Sequence, residues 1–164
     1  VGDGGQKNAV RANIAKYVVG PGSAFGGEAV LGMNTGINTM MLRYADILLI
    51  YAEAVLGANA STTDASALTA FNKVRSRAGL LLKTSLTLDD IMKERRVEFA
   101  FEGLRWMDII RWGIAMDVMN AKLSNQVQDE GRFRMKSHQI LFPLPFDEWN
   151  RYQDEKVLWQ NPGY

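Results

Sequence analysis

The spacing of apolar residues along the chain changes from irregular to helical near Asn38. Residues 1–39 are rich in glycine and show no regular apolar spacing, which indicates a surface loop. Residues 40–56 are apolar on almost every side of a helical wheel, with Asn38 or Thr39 as the predicted N-cap and Gly57 at the C-terminal end. The pattern therefore predicts a first helix over residues 40–56.

The charged residues of this first helix indicate how it packs. Arg43, Asp46 and Glu53 fall on one narrow side of the wheel, at about 100° per residue. A helix that is apolar on most sides is normally buried on most sides. We therefore expect the first helix to be buried everywhere except along the strip that carries these three charges.

A second helix is predicted over residues 65–78, with Thr63 or Asp64 as its N-cap and Gly79 at its end. A short polar link separates it from the first helix, so the two helices form an antiparallel hairpin similar to a tetratricopeptide unit. One such hairpin cannot bury both of its faces and needs neighbouring elements. The stripe expected to face inwards is Ala67, Ala70, Phe71, Val74 and Ala78.

The remainder of the chain is also predicted to be largely helical. Thr87 and Asp90 form a variant of the capping box, which starts a third helix that runs to about residue 101. Two shorter helices are expected over residues 104–112 and 114–123: Gly103 precedes the first, and Gly113 separates the two. The predicted fold class is mainly α: a helical bundle with a tetratricopeptide-like helix hairpin, irregular loops and little strand.

Composition excludes several classes of function. Lys plus Arg number 19 and Asp plus Glu number 18 in 164 residues, and a net charge of +1 argues against a nucleic-acid partner, which needs a basic face. The absence of cysteine excludes disulfides and thiolate metal sites. His138 is the sole histidine, so a transition-metal site is not expected. We also expect no cofactor, because no phosphate-binding loop motif is present.

The densest charge lies in residues 93–112, where nine of twenty residues are ionisable and four are aromatic. A helix that is apolar on two sides cannot keep every charge in water, and an unpaired buried charge costs several kcal/mol. Spacings of three and four residues permit pairing within the helix, and charges of the first helix could join across a packed interface. The predicted structural ion-pair lattice comprises Arg43, Asp46, Arg95, Glu98, Glu102, Arg105, Asp108 and Arg111.

The alternative role for these carboxylates is catalysis. Glu94, Glu98 and Glu102 recur every four residues, and a pair of carboxylates is what a glycosidase uses. A glycosidase needs one carboxylic acid with a raised pKa, whereas nearby arginines favour the ionised form. The sequence therefore favours a structural role, and no catalytic residue is assigned.

Five segments together resemble the SusD/RagB family of outer-membrane nutrient-binding lipoproteins. They occur in the order expected for that family, and the third gives the closest match. The segments are "LRYADILLIYAEA" (42–54), "FNKVRSRAGL" (71–80), "KERRVEFAFEGLRWMDIIRWG" (93–113), "LFPLPFDEW" (141–149) and "QNPGY" (160–164).

The resemblance implies a non-catalytic function at the cell surface. Members of this family bind oligosaccharides or other nutrients and pass them to a TonB-dependent transporter of the SusC type. They lie on the outer surface of the outer membrane, anchored through a lipidated N-terminal cysteine. The resemblance further implies that this chain is the C-terminal part of a longer protein, with residues 1–39 as a remnant of the upstream region and residues 40–164 as the helical domain. The missing N-terminal part is then a partner of this domain.

Ligand-binding residues are harder to assign. The family's ligand contacts tend to lie in loops upstream of the matched segments, which directs attention to Phe25, Asn34 and Asn38 in this chain. An aromatic ring and planar amides suit a sugar, because stacking supplies contact area and amides select hydroxyls. Two other functions remain as alternatives: a tetratricopeptide-like scaffold that binds a peptide or the transporter, and an enzyme of glycan breakdown.

Overall fold

The computed structural model describes residues 16, 38–126, 134–152 and 157–164. The chain divides into two compact units, Val1–Glu102 and Gly103–Tyr164, which are described separately. The helices of the first unit are α1 (Tyr44–Leu56), α2 (Ala65–Arg77) and α3 (Leu88–Glu98). The second unit contains α4 (Arg105–Arg111), α5 (Ala115–Gln126), a 3-10 helix (Ser137–Ile140) and α6 (Phe146–Arg151).

The predicted mainly α fold with little strand is confirmed. Across the described ranges, the β-type pairing is one antiparallel bridge between Thr62 and Leu86, whose two N–H groups and carbonyls pair at 2.9 Å. This bridge ties the α1–α2 link to the segment before α3. Helices therefore supply nearly all of the regular secondary structure in the described residues.

The core of the first unit forms where α1 packs against α2 and α3. The inward stripe predicted for α2 is confirmed at four of its five positions, and Ala78 is exposed instead because the helix ends at Arg77. Removing these side chains from water is the main source of stability for such a small unit. The fully buried large side chains of this core are Leu49, Leu56, Phe71, Leu86 and Ile91.

The predicted N-caps of α2 and α3 are both confirmed. Asp64 accepts hydrogen bonds from the backbone N–H groups of Ser66 at 2.8 Å and Ala67 at 3.1 Å. Thr87 and Asp90 form the reciprocal capping box at the start of α3. Each cap satisfies backbone donors that a helix leaves unpaired in its first turn.

Replacing Thr87 with alanine is expected to lower the free energy of unfolding by about 1 kcal/mol, because it removes the side-chain acceptor of this capping box. Urea denaturation followed by circular dichroism measures the change. Thr84→Ala is the matched control, since Thr84 is exposed in the preceding loop and its loss should change stability by less than about 0.5 kcal/mol. Equal effects of the two substitutions would contradict the role assigned to the cap.

The predicted start of α1 is wrong by four residues. The helix begins at Tyr44, and the N-cap is Arg43, whose backbone is extended and whose side chain makes no capping bond. Asn38 and Thr39, the predicted caps, lie in an exposed non-helical segment before it. The predicted end at Gly57 is correct: its N–H bonds to the carbonyl of Glu53 at 2.9 Å, and its φ of 55° is one that glycine tolerates.

The predicted burial of α1 is also wrong. Asp46 belongs to the strip expected to face solvent, yet it is only 8% exposed. Arg43 and Asp46 instead pair with charges on other segments, so their side of the helix faces the protein. The exposed side carries large apolar residues: Tyr44, Ile47, Ile50 and Tyr51.

The third helix stops at Glu98 rather than near residue 101. Its C-cap is Phe99, and Phe101 has a φ of 66°, a left-handed conformation that is incompatible with a helix continued to residue 101. The Nζ of Lys16 donates to the carbonyls of Glu98 at 2.8 Å and Ala100 at 3.1 Å. Lys16 therefore donates hydrogen bonds to carbonyl oxygens at the end of α3 that have no partner within the helix.

In the second unit, α4 and α5 pack together around Ile109 and Ala115. The extended segment before α6 is held by the chain end. The side chain of Gln160 accepts from the N–H of Leu144 at 2.7 Å and donates to its carbonyl at 3.1 Å. The hydroxyl of Tyr164 donates to the carbonyl of Leu141 at 2.9 Å. Two of the sequence motifs are therefore joined by direct hydrogen bonds.

Candidate functional site

The residues predicted to contact a ligand are only partly described. Asn38 lies on the surface, six residues before the start of α1. Phe25 and Asn34 fall outside the described residues. Their assignment as ligand contacts stays a prediction.

The predicted lattice residues of the first unit come together between α1 and α3. We call Arg43, Asp46, Arg95, Glu98 and Glu102 the α1–α3 charge cluster. Arg43 is its centre: Nη1 donates to Glu98 Oε1 at 2.7 Å and Nε donates to Glu102 Oε2 at 2.8 Å. Arg43 Nη2 also donates to the carbonyl of Glu98 at 3.0 Å. One guanidinium therefore binds two carboxylates and the end of α3.

Arg95 and Asp46 form the most deeply buried pair of the cluster. Arg95 Nη1 lies 2.7 Å from Asp46 Oδ1, and the two side chains are 4% and 11% exposed. The guanidinium of Arg95 also lies 5.0 Å from the ring centroid of Phe99, and that of Arg43 lies 4.9 Å from the same ring. Phe99 is 3% exposed, so one aromatic residue of this stretch covers the two arginines of the cluster.

Sequence reasoning missed three cations that pair with glutamates of residues 94–102, two of them with members of the cluster. Arg77 Nη2 binds Glu98 Oε2 at 2.6 Å, and Arg75 Nη1 binds Glu94 Oε2 at 2.6 Å. Lys16 contacts Glu102 as well as the end of α3. The two arginines lie in the last turn of α2, where their spacing of two residues gave no signal of partners on α3. The tertiary structure reveals these two arginine pairs, because both α2 and α3 pack against α1 and the last turn of α2 thereby comes within reach of Glu94 and Glu98.

The remaining predicted lattice residues belong to the second unit. Arg111 Nε lies 3.0 Å from Asp108 Oδ1, the predicted pairing at three-residue spacing, and Asp108 is 4% exposed. Arg105 is the first residue of α4 and is partly buried. The eight predicted residues are thus distributed over both units, five in the first and three in the second.

Electrostatics keep Glu102 ionised despite its burial. Burial of the Glu102 carboxyl by itself would raise its pKa, but hydrogen bonds from Arg43 and Lys16 outweigh that effect and hold the pKa below its ordinary value. The converse holds for Arg43, where burial opposes the charge but both glutamates raise the pKa of the guanidinium. A carboxyl with a lowered pKa is a poor general acid at neutral pH.

The lowered pKa of Glu102 predicts a stability change in acid. The folded state gains stability from ionised Glu102 above the ordinary pKa of 4.5, and this contribution is lost as pH falls through the lower pKa of the folded state. The stability difference between wild type and Glu102→Gln should therefore be constant above about pH 5 and shrink below it. Urea denaturation at several pH values measures it.

Glu148→Gln is the control for this experiment, because Glu148 lies on the exposed helix α6 and pairs with Arg151 at 3.4 Å. Its substitution should change stability by less than about 0.5 kcal/mol at every pH. A difference between wild type and Glu102→Gln that does not depend on pH would contradict the assigned pKa.

Other candidate sites find little support in the described ranges. No group of three or more His, Asp or Glu side chains placed to hold a metal ion occurs among the described residues. His138 packs edge-on against Tyr164, with ring centroids 5.0 Å apart. Within the same ranges, no helix combines the length and apolarity needed to cross a bilayer.

The described fold is mainly helical, with a tetratricopeptide-like hairpin formed by α1 and α2 and the α1–α3 charge cluster beside it. The family model of the SusD family matches residues 5–164, and the chain therefore belongs to the SusD family. The resemblance found in the sequence motifs is confirmed.

Individual relatives agree with this assignment. A SusD-like protein of Bacteroides ovatus is 51% identical over 80 residues, which cover 49% of this chain and 15% of the relative. A SusD-like protein of Formosa agariphila is 31% identical over 166 residues, which cover 94% of this chain and 30% of the relative.

Two solved structures are also similar. One is a crystal structure with a xylogluco-oligosaccharide: the TM-score is 0.65 at 32% identity, over 80% of this chain and 33% of that one. The other is a laminarin-binding SusD-like protein, with a TM-score of 0.55 at 35% identity, over 77% of this chain and 23% of that one. This chain thus spans about a third or less of the length of each of these relatives.

Proposed function

We propose that this chain is part of a cell-surface protein that binds oligosaccharides without cleaving them. The observation that carries the proposal is the similarity to two SusD-like structures, one with a xylogluco-oligosaccharide and one that binds laminarin. Each similarity extends over more than three quarters of this chain at over 30% identity. The shared ligand chemistry is a glucan-type oligosaccharide.

The arrangement of the carboxylates supports binding rather than catalysis. Glu94 and Glu98 each contact an arginine at 2.6–2.7 Å, and the side chain of Glu102 is 3% exposed. A glycosidase requires two carboxyl groups that face the substrate, one of them protonated. The protein should therefore release no product from xyloglucan or laminarin, and Glu98→Gln should affect stability rather than any hydrolysis.

Isothermal titration of the full-length protein with xyloglucan and laminarin oligosaccharides tests the binding proposal. We expect saturable binding of at least one glucan. Alanine substitution of Phe25, Asn34 and Asn38 should weaken that binding, whereas Asn150→Ala, at an exposed asparagine of α6, should not. Absence of binding to any glycan would overturn the proposal, and unchanged affinity in the three variants would exclude those residues as contacts.

We further propose that the bound glycan is passed to a SusC-like TonB-dependent transporter, and that the protein is lipid-anchored on the outer surface of the outer membrane. Membership of the SusD family supports both proposals. Co-purification with a SusC-like transporter from the source cells, and protease accessibility on intact cells, test these two proposals. A protein that fractionates without the outer membrane would contradict the proposed location.

A second candidate function is a tetratricopeptide-like scaffold for a peptide or for the transporter. A groove of about 670 Å³ between α2 and the α2–α3 loop favours it, because Asn72, Lys73 and Lys83 contribute to its lining. Asn72 already bonds both backbone groups of Lys83 at 2.8 Å, which leaves Lys73 as the clearest contact. Lys73→Glu should weaken transporter binding and leave glycan affinity unchanged if this candidate is correct.

A further inference from the structure

In the second unit, the chain end runs beside the extended segment that precedes α6. Asn161 Nδ2 donates to the carbonyl of Phe142 at 2.6 Å, and the side chain of Gln160 bonds both backbone groups of Leu144. Residue numbers therefore rise along one segment as they fall along the other, so the two segments are antiparallel. Trp159, which comes just before Gln160, consequently lies beside the end of the extended segment where α6 begins.

Three aromatic residues belong to this end of the segment. Trp159 is 69% exposed, and Phe146, the first residue of α6, is 68% exposed. Trp149 lies about one turn further along α6, with its ring centroid 6.2 Å from that of Phe146 and an angle of 49° between the two ring planes. We call Phe146, Trp149 and Trp159 the α6 aromatic platform.

Hydrogen bonds hold the backbone that carries this platform. Besides its two bonds to Leu144, the side chain of Gln160 accepts from the N–H of Asn161 at 2.9 Å. The N–H of Trp149 bonds to the carbonyl of Pro145 at 2.9 Å, which fixes the first turn of α6. A binding surface that is ordered before its ligand arrives loses less conformational entropy on binding.

A carboxylate that remains available for hydrogen bonding adjoins these rings. Asp147 follows Phe146 on α6 and is exposed, and no cation within the described ranges pairs with it. The next carboxylate, that of Glu148, instead contacts Arg151 at 3.4 Å. Asp147 can therefore accept hydrogen bonds from a ligand that carries hydroxyl groups.

We propose that the α6 aromatic platform is a second glucan-binding site of the full-length protein. Phe146 and Trp159 stack on pyranose rings, and Asp147 accepts hydrogen bonds from sugar hydroxyls. A pyranose presents apolar C–H groups on its faces and hydroxyls at its edges, which suits flat aromatic rings beside a carboxylate. This inference rests on the proposed binding of glucan-type oligosaccharides and adds a site to the contacts predicted before α1.

A protein partner is a less suitable occupant of the platform. The centre of a protein interface excludes water, and burying the carboxylate of Asp147 without a cation would cost free energy. A bound sugar instead supplies hydroxyl donors to that carboxylate and leaves part of it in water. The combination of exposed rings with an unpaired carboxylate therefore favours a carbohydrate.

Fluorine NMR of the full-length protein tests the proposal. When para-fluorophenylalanine replaces Phe146, titration with laminarin and xyloglucan oligosaccharides should shift the fluorine resonance until the site is saturated. The same label in place of Phe101, which is 64% exposed in the first unit, is the control and should not shift. The label retains the aromatic ring, so the platform is tested without truncating a side chain.

Isothermal titration of the full-length protein gives a second readout. Wild type should show two classes of glucan site, and Trp159→Ala should weaken one of them by at least about tenfold. Val157→Ala is the matched control, because Val157 is 61% exposed close to Trp159 and its truncation should leave both sites unchanged.

The possible outcomes separate this inference from the function on which it rests. If wild type binds a glucan but the label at Phe146 does not respond, or Trp159→Ala binds as tightly as wild type at every site, the second site is overturned and the proposed function stands. If wild type binds no glucan, both are overturned. An equal response of the labels at Phe146 and Phe101 would also overturn the second site, because it would show a change that is not confined to the platform.

Discussion

Arg43→Met is expected to lower the free energy of unfolding by about 2–3 kcal/mol. The guanidinium of Arg43 binds both Glu98 and Glu102, whose side chains are 7% and 3% exposed. Methionine retains most of the side-chain volume but removes the cation that these two carboxylates share. Glu98 keeps its contact with Arg77 and Glu102 keeps its contact with Lys16, so the loss is that of charge-assisted hydrogen bonds rather than of an unpaired buried charge. Urea denaturation at pH 7 measures the change, with glycan affinity measured in parallel.

Arg96→Met is the matched control. Arg96 lies in the same charged stretch on α3 but is exposed to solvent, so its loss should change stability by less than about 0.5 kcal/mol. A similar loss for both variants would mean that total charge, rather than the contacts of Arg43, stabilises the fold. A negligible loss for Arg43→Met would overturn the view that the α1–α3 charge cluster holds the helices together.

Local sequence signals predict where the helices lie more accurately than they predict which residues each helix packs against. The caps at Asp64 and at Thr87 with Asp90 act within one turn, and both were identified correctly. The predicted start of α1 is too early because residues 40–42 are apolar like the helix itself, whereas the extended backbone at Arg43 prevents helical pairing before Tyr44. Helical periodicity does not detect a boundary of that kind when residues on both sides of it are apolar.

The partners of the charged residues depend on contacts between distant parts of the chain. The spacing within residues 93–112 suggested pairs three and four residues apart, and Asp108–Arg111 has that form. Glu98 instead contacts Arg43, which lies 55 residues away, and Arg77, which lies 21 residues away. Several arginines could pair with a given carboxylate. Helix packing, rather than local spacing, therefore determines which arginine does so.

The exposed face of α1 shows a second limit of prediction from sequence, because the pattern predicts more burial than the structure has. Its sequence is that of a helix buried on several sides, but the described residues cover only one side of it. The periodicity of apolar residues identifies a helix, but it does not determine which of those residues are covered. Ile47 and Tyr51, each 47% exposed, are residues of α1 where the pattern and the observed burial differ.

Arg95→Met is expected to lower the free energy of unfolding by about 3–5 kcal/mol, because it leaves Asp46 buried without the guanidinium that lies 2.7 Å away. The reason for a large effect is desolvation: Asp46 is 8% exposed and cannot recover its hydration without moving α1 away from α3. Thermal and urea denaturation should both show the loss, and the helical content of the folded protein should be unchanged.

The double variant Asp46→Asn with Arg95→Met distinguishes the cost of the unpaired, buried Asp46 charge from a loss of packing around residue 95. Asparagine has nearly the same volume as aspartate but no charge, so the double variant should recover at least about half of the stability lost in Arg95→Met. Lys93→Met is the control for an exposed pair, since Lys93 and Asp89 are both largely solvated and the substitution should have little effect. A double variant that is less stable than Arg95→Met alone would show that Asp46 forms other essential contacts, and that charge burial is not the source of the effect.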